Sequence, residues 1–520
     1  MELRKHQKEA IEALQKINEG IIHLPTGTGK TNIEALSISD NIQNAYTWLK
    51  DNNMPDEIPV FVVLAPRILL SNQLFGVIRN ILLEKNQDCH YLIVHSGKTI
   101  DNIKRMWTID LPYRQLTSTT SSKIIIEEYN KAKAEKVPMI IFGTYDSSER
   151  IVNAKIPVYM LICDEGQYLV SERFGWISHE NEENPIKGQF NSYRKYYYTA
   201  TLKETISDNG LGMNNSNLFG PIIYEKTPLE MIIAGEILRP RMHLVDVIGN
   251  IEETDELNKD VNAIMSAFIE HKAQCKTSPK LLVVTKGSEH LNQIVTHPKI
   301  QNFLVTRPNL KIFDISSYYH PRINEEVVKR ETFLKALQSL TDQDEAIILH
   351  IDILSEGIDV PGITGIMPMN MMGLGKFLQT LGRASRLHVN DRKKLYDSII
   401  KYNELEKFIK DYAWIIIPIY GNIGEDLGVQ IETWITALRD HGFNANEDVV
   451  IKESKGKAIP IPIGGINERD TKTRALFDVF VDIEHNIEER EIADKIAVED
   501  FRLDESIKNM SDEELLNQLV

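Results

Sequence analysis

Leu24-Pro25-Thr26-Gly27-Thr28-Gly29-Lys30-Thr31 follows a β-branched run at 20–24 and opens a stretch of helical period. Glycines at this spacing let backbone N–H groups turn inward around phosphate oxygens. The helix N-terminus adds positive potential, the lysine reaches β/γ-phosphates and the threonine hydroxyl can ligate Mg²⁺. The candidate nucleotide-binding residues are therefore Pro25, Thr26, Gly27, Thr28, Gly29, Lys30 and Thr31, with Leu24 standing where the strict pattern has glycine. Such a site needs one carboxylate at the end of a neighbouring strand for the metal and another to activate or orient water. The apolar run 158–163 followed by Asp164-Glu165-Gly166-Gln167 offers both, Asp164 as the Mg²⁺ partner and Glu165 as the general base. Much further along, Gln379-Thr380-Leu381-Gly382-Arg383-Ala384-Ser385-Arg386 sets two arginines three apart. On a helix they share a face and can bring positive charge to a γ-phosphate in the transition state.

The elements that must position these groups are legible as short β-branched runs between stretches of helical period. They fall at 20–24, 59–65, 90–95, 138–143, 157–163 and 194–199, and again at 242–248, 279–285, 310–316, 345–350, 363–367 and 414–420. Strands alternating with helices imply parallel α/β sheets, here two in succession. Turn formers around 218–221 and 234–236 place the boundary near 235. The expected organisation is a first α/β domain at 1–235, a second at 236–425 and a small C-terminal α+β accessory domain at 426–520. That last domain would hold a helix at 429–439, a strand at 448–452, a Pro/Gly loop at 457–465 and an acidic tail. The segment 98–136, with Trp107, Tyr113 and Tyr129 among its charges, reads as a solvated helical insertion rather than a nucleic-acid groove.

Composition narrows the class. At 520 residues, 42% hydrophobic and 26% charged, the chain is ordinary globular protein with room for several cores. Its apolar runs fall short of the ~20 residues of a membrane span, and the first residues lack a signal peptide's apolar core. Three scattered cysteines (Cys89, Cys163, Cys275) do not form a disulfide framework or a zinc site, so a reducing, cytoplasmic setting is expected. His290, His320 and His388 lack metal-like partners at suitable spacing and read as surface or packing residues. The net charge of −16 argues against a polyanion partner only until it is located: residues 481–520 carry 13 acidic and 4 basic side chains, −9, leaving −7 for the other 480. Local basic grooves can still bind nucleic acid.

Over roughly residues 1–420 the sequence resembles the superfamily 2 helicases and translocases, specifically the DExH-like group that includes type III restriction subunits and phage recombination helicases. The resemblance implies two tandem RecA-like domains using ATP and Mg²⁺, and a chain that could be virus- or phage-encoded. Leu3-Arg4-Lys5-His6-Gln7 is similar to the family's Q-motif, which implies that Gln7 reads adenine. The segments Ala65-Pro66-Arg67, His95-Ser96-Gly97 and Gly143-Thr144 fall where the family grips one nucleic-acid strand, which implies contacts from Arg67, Ser96, Gly97 and Thr144, with Lys286 a further candidate. Tyr198-Thr199-Ala200-Thr201 resembles motif III. Ser355-Glu356-Gly357-Ile358-Asp359-Val360-Pro361 resembles motif V, implying nucleotide contacts from Gly357 and Asp359, and 379–386 resembles motif VI, making Arg383 and Arg386 arginine fingers in cis. Gln167 departs from the family's usual Asp or His, yet an amide can still donate and accept.

The expected function is ATP-dependent movement on DNA, single-stranded or branched, with RNA possible and no membrane partner. The DNA preference rests on the 3–7 and 164–167 motifs. The alternatives are a motor subunit of a restriction system, with Glu453-Ser454-Lys455, Asp440 and Asp448 as a sparse nuclease-like set, an RNA helicase, and a non-motor ATP switch that would not need the motif VI arginines.

Overall fold

The computed structural model describes residues 3–95, 116–171, 174–177, 190–204, 212–247, 255–316, 319–351, 360, 362–369, 374–419 and 449–450. Of the expected site residues, Ser96, Gly97, Gly357 and Asp359 lie outside them, as do the acidic tail, the 429–439 helix and the sparse nuclease-like set. The chain forms two compact units, Met1–Lys226 with Glu356–Ile358, and Thr227–Ser355 with Asp359–Val520.

In the first unit eight strands make one sheet: β1 (Glu19–His23), β2 (Val60–Ala65), β3 (His90–Val94), β4 (Leu116–Thr119), β5 (Met139–Thr144), β6 (Val158–Asp164), β7 (Ser192–Thr199) and β8 (Ile222–Glu225). Their order is β4-β3-β5-β2-β6-β7-β1-β8, and every pairing is parallel. A parallel sheet covered on both faces needs apolar residues at every position, and β2, β3, β5 and β6 are buried throughout. Alternation then divides each strand between two cores. Ile22, Val63, Ile93, Phe142 and Ile162 face one, which helices α1 (Lys5–Leu14), α2 (Lys30–Asp51) and α3 (Ile68–Glu84) cover. Ile21, Val62, Leu92, Ile141 and Leu161 face the other, packed on Ile125, Tyr129 and Ala132 of the helix Ser122–Glu135.

Edge strands were harder to read. The expected helical insertion at 98–136 is corrected over its second half: residues 116–119 add β4 beside β3 before the helix begins. Leu-Thr-Ser-Thr has no apolar run to announce a strand, and it is held by pairing with β3 alone. The strand β8, Ile-Ile-Tyr-Glu, is only four residues long and half-exposed at the opposite edge, paired with β1.

The second unit is built on β9 (Pro240–Asp246), β10 (Lys280–Val284), β11 (Leu310–Ile315), β12 (Arg322–Ile323), β13 (Glu326–Val327), β14 (Glu345–His350), β15 (Gly365–Pro368), β16 (Ala413–Ile419) and β17 (Val449–Val450). The order is β13-β12-β11-β14-β10-β15-β16-β9-β17, parallel except for the β11-β12-β13 meander. The helix Glu256–Gln274 packs Val261, Ile264 and Phe268 onto Leu281, Val283, Ile347 and Ile416. The units divide at Lys226, ahead of the expected 235, and the stretch that follows lies against the second unit: a Cβ on Gly235 would stand 3.2 Å from Leu395, Leu238 N donates to Ser385 O at 2.7 Å and Ile237 bridges to Arg386. Among the described residues no helix is long and apolar enough to cross a membrane.

The edge of the first sheet depends on Gly220. Its φ of +69° is left-handed, and a Cβ there would stand 2.6 Å from Glu19 O and 2.8 Å from Glu19 C, both backbone atoms that cannot yield. Gly220→Ala is expected to destabilise the first unit by about 2 kcal/mol or more. Urea unfolding checks this, and an unchanged midpoint would mean that β8 does not lie against β1 as described.

Candidate active site

Three adjacent strands, β6, β7 and β1, deliver the candidate groups. The loop after β1 runs Leu24 to Gly29 and enters α2 at Lys30. Leu24 is fully buried in the core, which explains the missing glycine: the side chain packs inward while its carbonyl accepts from Lys30 Nζ at 3.0 Å. Gly29, at φ +84°, is the N-cap of α2, and a Cβ would meet Gln7 Nε2 at 2.6 Å. Only glycine fits that turn. Thr28 Oγ1 closes the loop on Pro25 O at 2.7 Å.

The opening motif braces this loop. Arg4 Nη1 donates to Thr28 O at 3.1 Å, His6 Nε2 lies 2.9 Å from the same oxygen, and Gln7 Nε2 donates to Thr28 O and Gly29 O at 3.3 and 3.2 Å. Gln7 Oε1 accepts from Arg4 N at 3.1 Å. Here the buried Gln7 amide is a strut of the phosphate loop, donating to two of its carbonyls.

At the end of β6, Asp164 is buried beside Glu165, and Glu165 N donates to Asp164 Oδ1 at 3.0 Å. Glu165 is held at φ +53°, a left-handed conformation that costs a non-glycine residue about 1 kcal/mol or more. Its carboxylate accepts from Gln167 Nε2 at 2.9 Å, while Thr199 Oγ1 at the end of β7 lies 2.6 Å from Gln167 Oε1. A carboxylate can only accept, so the amide must turn its NH₂ to Glu165 and its oxygen to the threonine. Thr199 in turn contacts the Thr201 backbone. The glutamine thus does link the acidic box to the motif III segment.

One neighbour was not singled out from sequence. Glu34, one helical turn beyond Thr31 on α2, is fully buried, and neither carboxyl oxygen finds a hydrogen-bond donor among the described residues. Burial, then the neighbouring Asp164 charge, push it well above the usual carboxylate range against the pull of Lys30. Burial and Glu165 likewise push Asp164 up to about 7. A glutamate at a helical position ordinarily reads as a solvated face; its spacing from Thr31 was the available signal. Among the described residues no three His, Cys, Asp or Glu side chains converge as a metal site. The oxygen chemistry of Thr31 and Asp164, with the Glu34 carboxyl nearby, still fits a hard cation that takes its remaining ligands from phosphate and water.

The expected nucleic-acid contacts fare differently. Arg67 is exposed at the N-cap of α3. Thr144 is buried, its hydroxyl 2.9 Å from Ser147 Oγ. Lys286 Nζ lies 2.8 Å from Asp260 Oδ2, which His290 Nε2 also reaches at 2.8 Å. Burial would raise Asp260, but the His290 and Lys286 bonds outweigh it and hold the carboxyl low. In the second unit the helix Leu374–Ala384 carries Arg383, and Arg386 follows it, half-buried and pushed down to about 10 by burial and by Arg392.

Comparison with known proteins agrees with this geometry. Residues 1–204 match the family described as type III restriction enzyme, res subunit. The DNA 3'-5' translocase XPB2 of Sulfurisphaera tokodaii is 24% identical over 429 residues, covering 77% of this chain and 82% of that protein. The type ISP restriction-modification enzyme LlaBIII bound to DNA superposes with a TM-score of 0.58 at 17% identity over 87% of this chain, which spans only 31% of that enzyme. The DEAD-box helicase Mss116 bound to ssRNA and UDP-BeF gives 0.51 at 13% identity, over 87% of this chain and 78% of that one. The chain carries the tandem RecA-like fold, and its resemblance to superfamily 2 helicases and translocases holds.

The buried carboxyls have a measurable consequence. A folded-state pKa raised above the unfolded value leaves the fold unpenalised at low pH and penalised increasingly as pH rises toward the folded pKa. Glu34→Gln should therefore stabilise the metal- and nucleotide-free protein at pH 8, and by less at pH 5. Urea titrations at the two pH values test this; equal effects would mean that Glu34 is not buried as a titrating acid.

Proposed function

We propose that the chain is an ATP-dependent DNA helicase or translocase, a nucleic-acid-dependent ATPase with two RecA-like domains. The observation that carries this is the chain of contacts Glu165–Gln167–Thr199, which joins the group that would act on water to the segment whose resemblance to motif III implies a link to the nucleic-acid groove. A non-motor ATP switch has no need of that link. The likeness to a DNA translocase supports DNA as the polymer.

On this reading the loop N–H groups and Lys30 take the phosphates, and Glu165 orients and deprotonates the attacking water. Thr31 and Asp164 would hold Mg²⁺, which when bound offsets phosphate charge. Lys30 exchanges its bond to Leu24 O for phosphate oxygens. Gln167 keeps the Glu165 carboxylate aimed, and its other end reports the position of the Thr199–Thr201 segment. Arg383 and Arg386 supply charge to the γ-phosphate as it leaves. A motor subunit of a restriction system is the second reading, favoured by the family match over 1–204; cleavage of DNA by the chain with a nuclease partner would select it.

Lys30→Ala should abolish productive ATP binding, whereas Glu165→Gln should retain binding and lose turnover by ~10²-fold or more. Arg383→Ala should lower kcat by roughly 10³-fold with nucleotide affinity within about tenfold. Turnover and nucleotide affinity measured separately decide both, and near-native turnover in Glu165→Gln would remove that residue as the base. In the wild type, DNA should stimulate ATPase more than RNA of equal length at matched salt. Equal or greater stimulation by RNA would overturn the DNA assignment, and none by either would overturn the motor.

A further inference from the structure

The second unit buries a lysine that the mechanism above does not use. Lys410 lies between the 405–407 turn and β16, only 5% exposed. Its ammonium donates to Ala384 O at 2.6 Å and to Arg386 O at 2.9 Å. These are the last carbonyl of the helix bearing Arg383 and the carbonyl of Arg386 itself. A helix leaves its final carbonyls without intrahelical donors and carries partial negative charge at that end, so a buried cation there satisfies both needs. The lysine is itself held: the fully buried Asp391 carboxylate accepts from Ile409 N and Lys410 N, all at 2.9 Å. On the far side, Ser385 O accepts from Leu238 N and Arg386 bridges to Ile237.

We propose that Lys410 is a positioning residue for the paired arginines, its ammonium fixing the backbone from which Arg383 and Arg386 project. The inference rests on the motor reading for its consequence in turnover, but not for the bracket itself. The groups facing the ammonium are Cys275 after the Glu256–Gln274 helix, Arg386, Lys280 of β10 and Asp391. Burial first, then Arg386 and Lys280, outweigh Cys275 and Asp391 and push Lys410 down to about 7. Charge-assisted bonds to the two carbonyls are therefore complete at pH 6 and weakened to those of a neutral amine by pH 8.5. No metal ligand is involved.

Two measurements test the bracket. In Lys410→Met, amides of residues 381–388 should exchange with solvent at least tenfold faster than in the wild type, a readout independent of catalysis; unchanged protection overturns the proposal. For DNA-stimulated ATPase, Lys410→Met should lower kcat by ten- to a hundredfold at pH 6 with KM for ATP within threefold. The wild-type to variant kcat ratio should then shrink at least threefold by pH 8.5, since pH effects on groups shared by both proteins cancel in it. A ratio constant with pH reduces the lysine to packing and overturns the positioning role. If Lys410→Met fails to fold, Asp391→Asn carries both tests, with faster 381–388 exchange and a two- to tenfold fall in kcat at unchanged KM expected, and native values in both overturning it. Absence of ATPase in the wild type would defeat the motor reading while leaving the exchange result to decide the bracket.

Discussion

Everything in the first unit depends on parallel pairing. Because β1, β6 and β7 run side by side in one direction, their C-terminal ends lie along one edge, and the phosphate loop, the Asp164-Glu165 box and Thr199 emerge together. Strands of a parallel sheet require long crossovers, so residues separated by 134 positions, such as Lys30 and Asp164, come to share an environment in which the lysine charge pulls the carboxyl down.

Behind that edge two carboxyls are buried, and burial gives them their chemistry. Glu34 and Asp164 lie together there, and Lys30 is a cation that lowers both. Carboxyls in such surroundings are raised, and incoming positive charge lowers their cost. The unusual backbone at Glu165 belongs to the same design: the strain is held by its own chain neighbours and by Gln167, and it aims the carboxylate out of the strand.

The second unit solves a different problem, namely how to hold two arginines at the end of a helix. Its answer is main-chain: residues 384–386 are bonded on one side by the 237–238 segment and on the other by Lys410, which Asp391 holds in turn. The segment around Gly235 lies against Leu395 and belongs with the second unit, so the division falls ahead of its turn formers.

The twelve strands with apolar, β-branched runs were legible because burial on both faces demands such residues, and the phosphate loop, the acidic box and the arginine pair were legible because their chemistry tolerates few residue types at few spacings. Strands β4, β8, β12 and β13 were not, since an edge strand is stabilised by its neighbour and needs no pattern of its own. The same distinction holds for side chains. Sequence alone singled out Lys30, Asp164, Glu165 and Arg383 as the candidates for the chemistry. Only tertiary structure decided that Gln7 braces the loop, that Thr144 and Lys286 are engaged within the protein, that Glu34 is buried near Asp164 and that Lys410 is buried against residues 384–386. Those roles follow from what each group is packed against, and long-range packing leaves no local spacing to read.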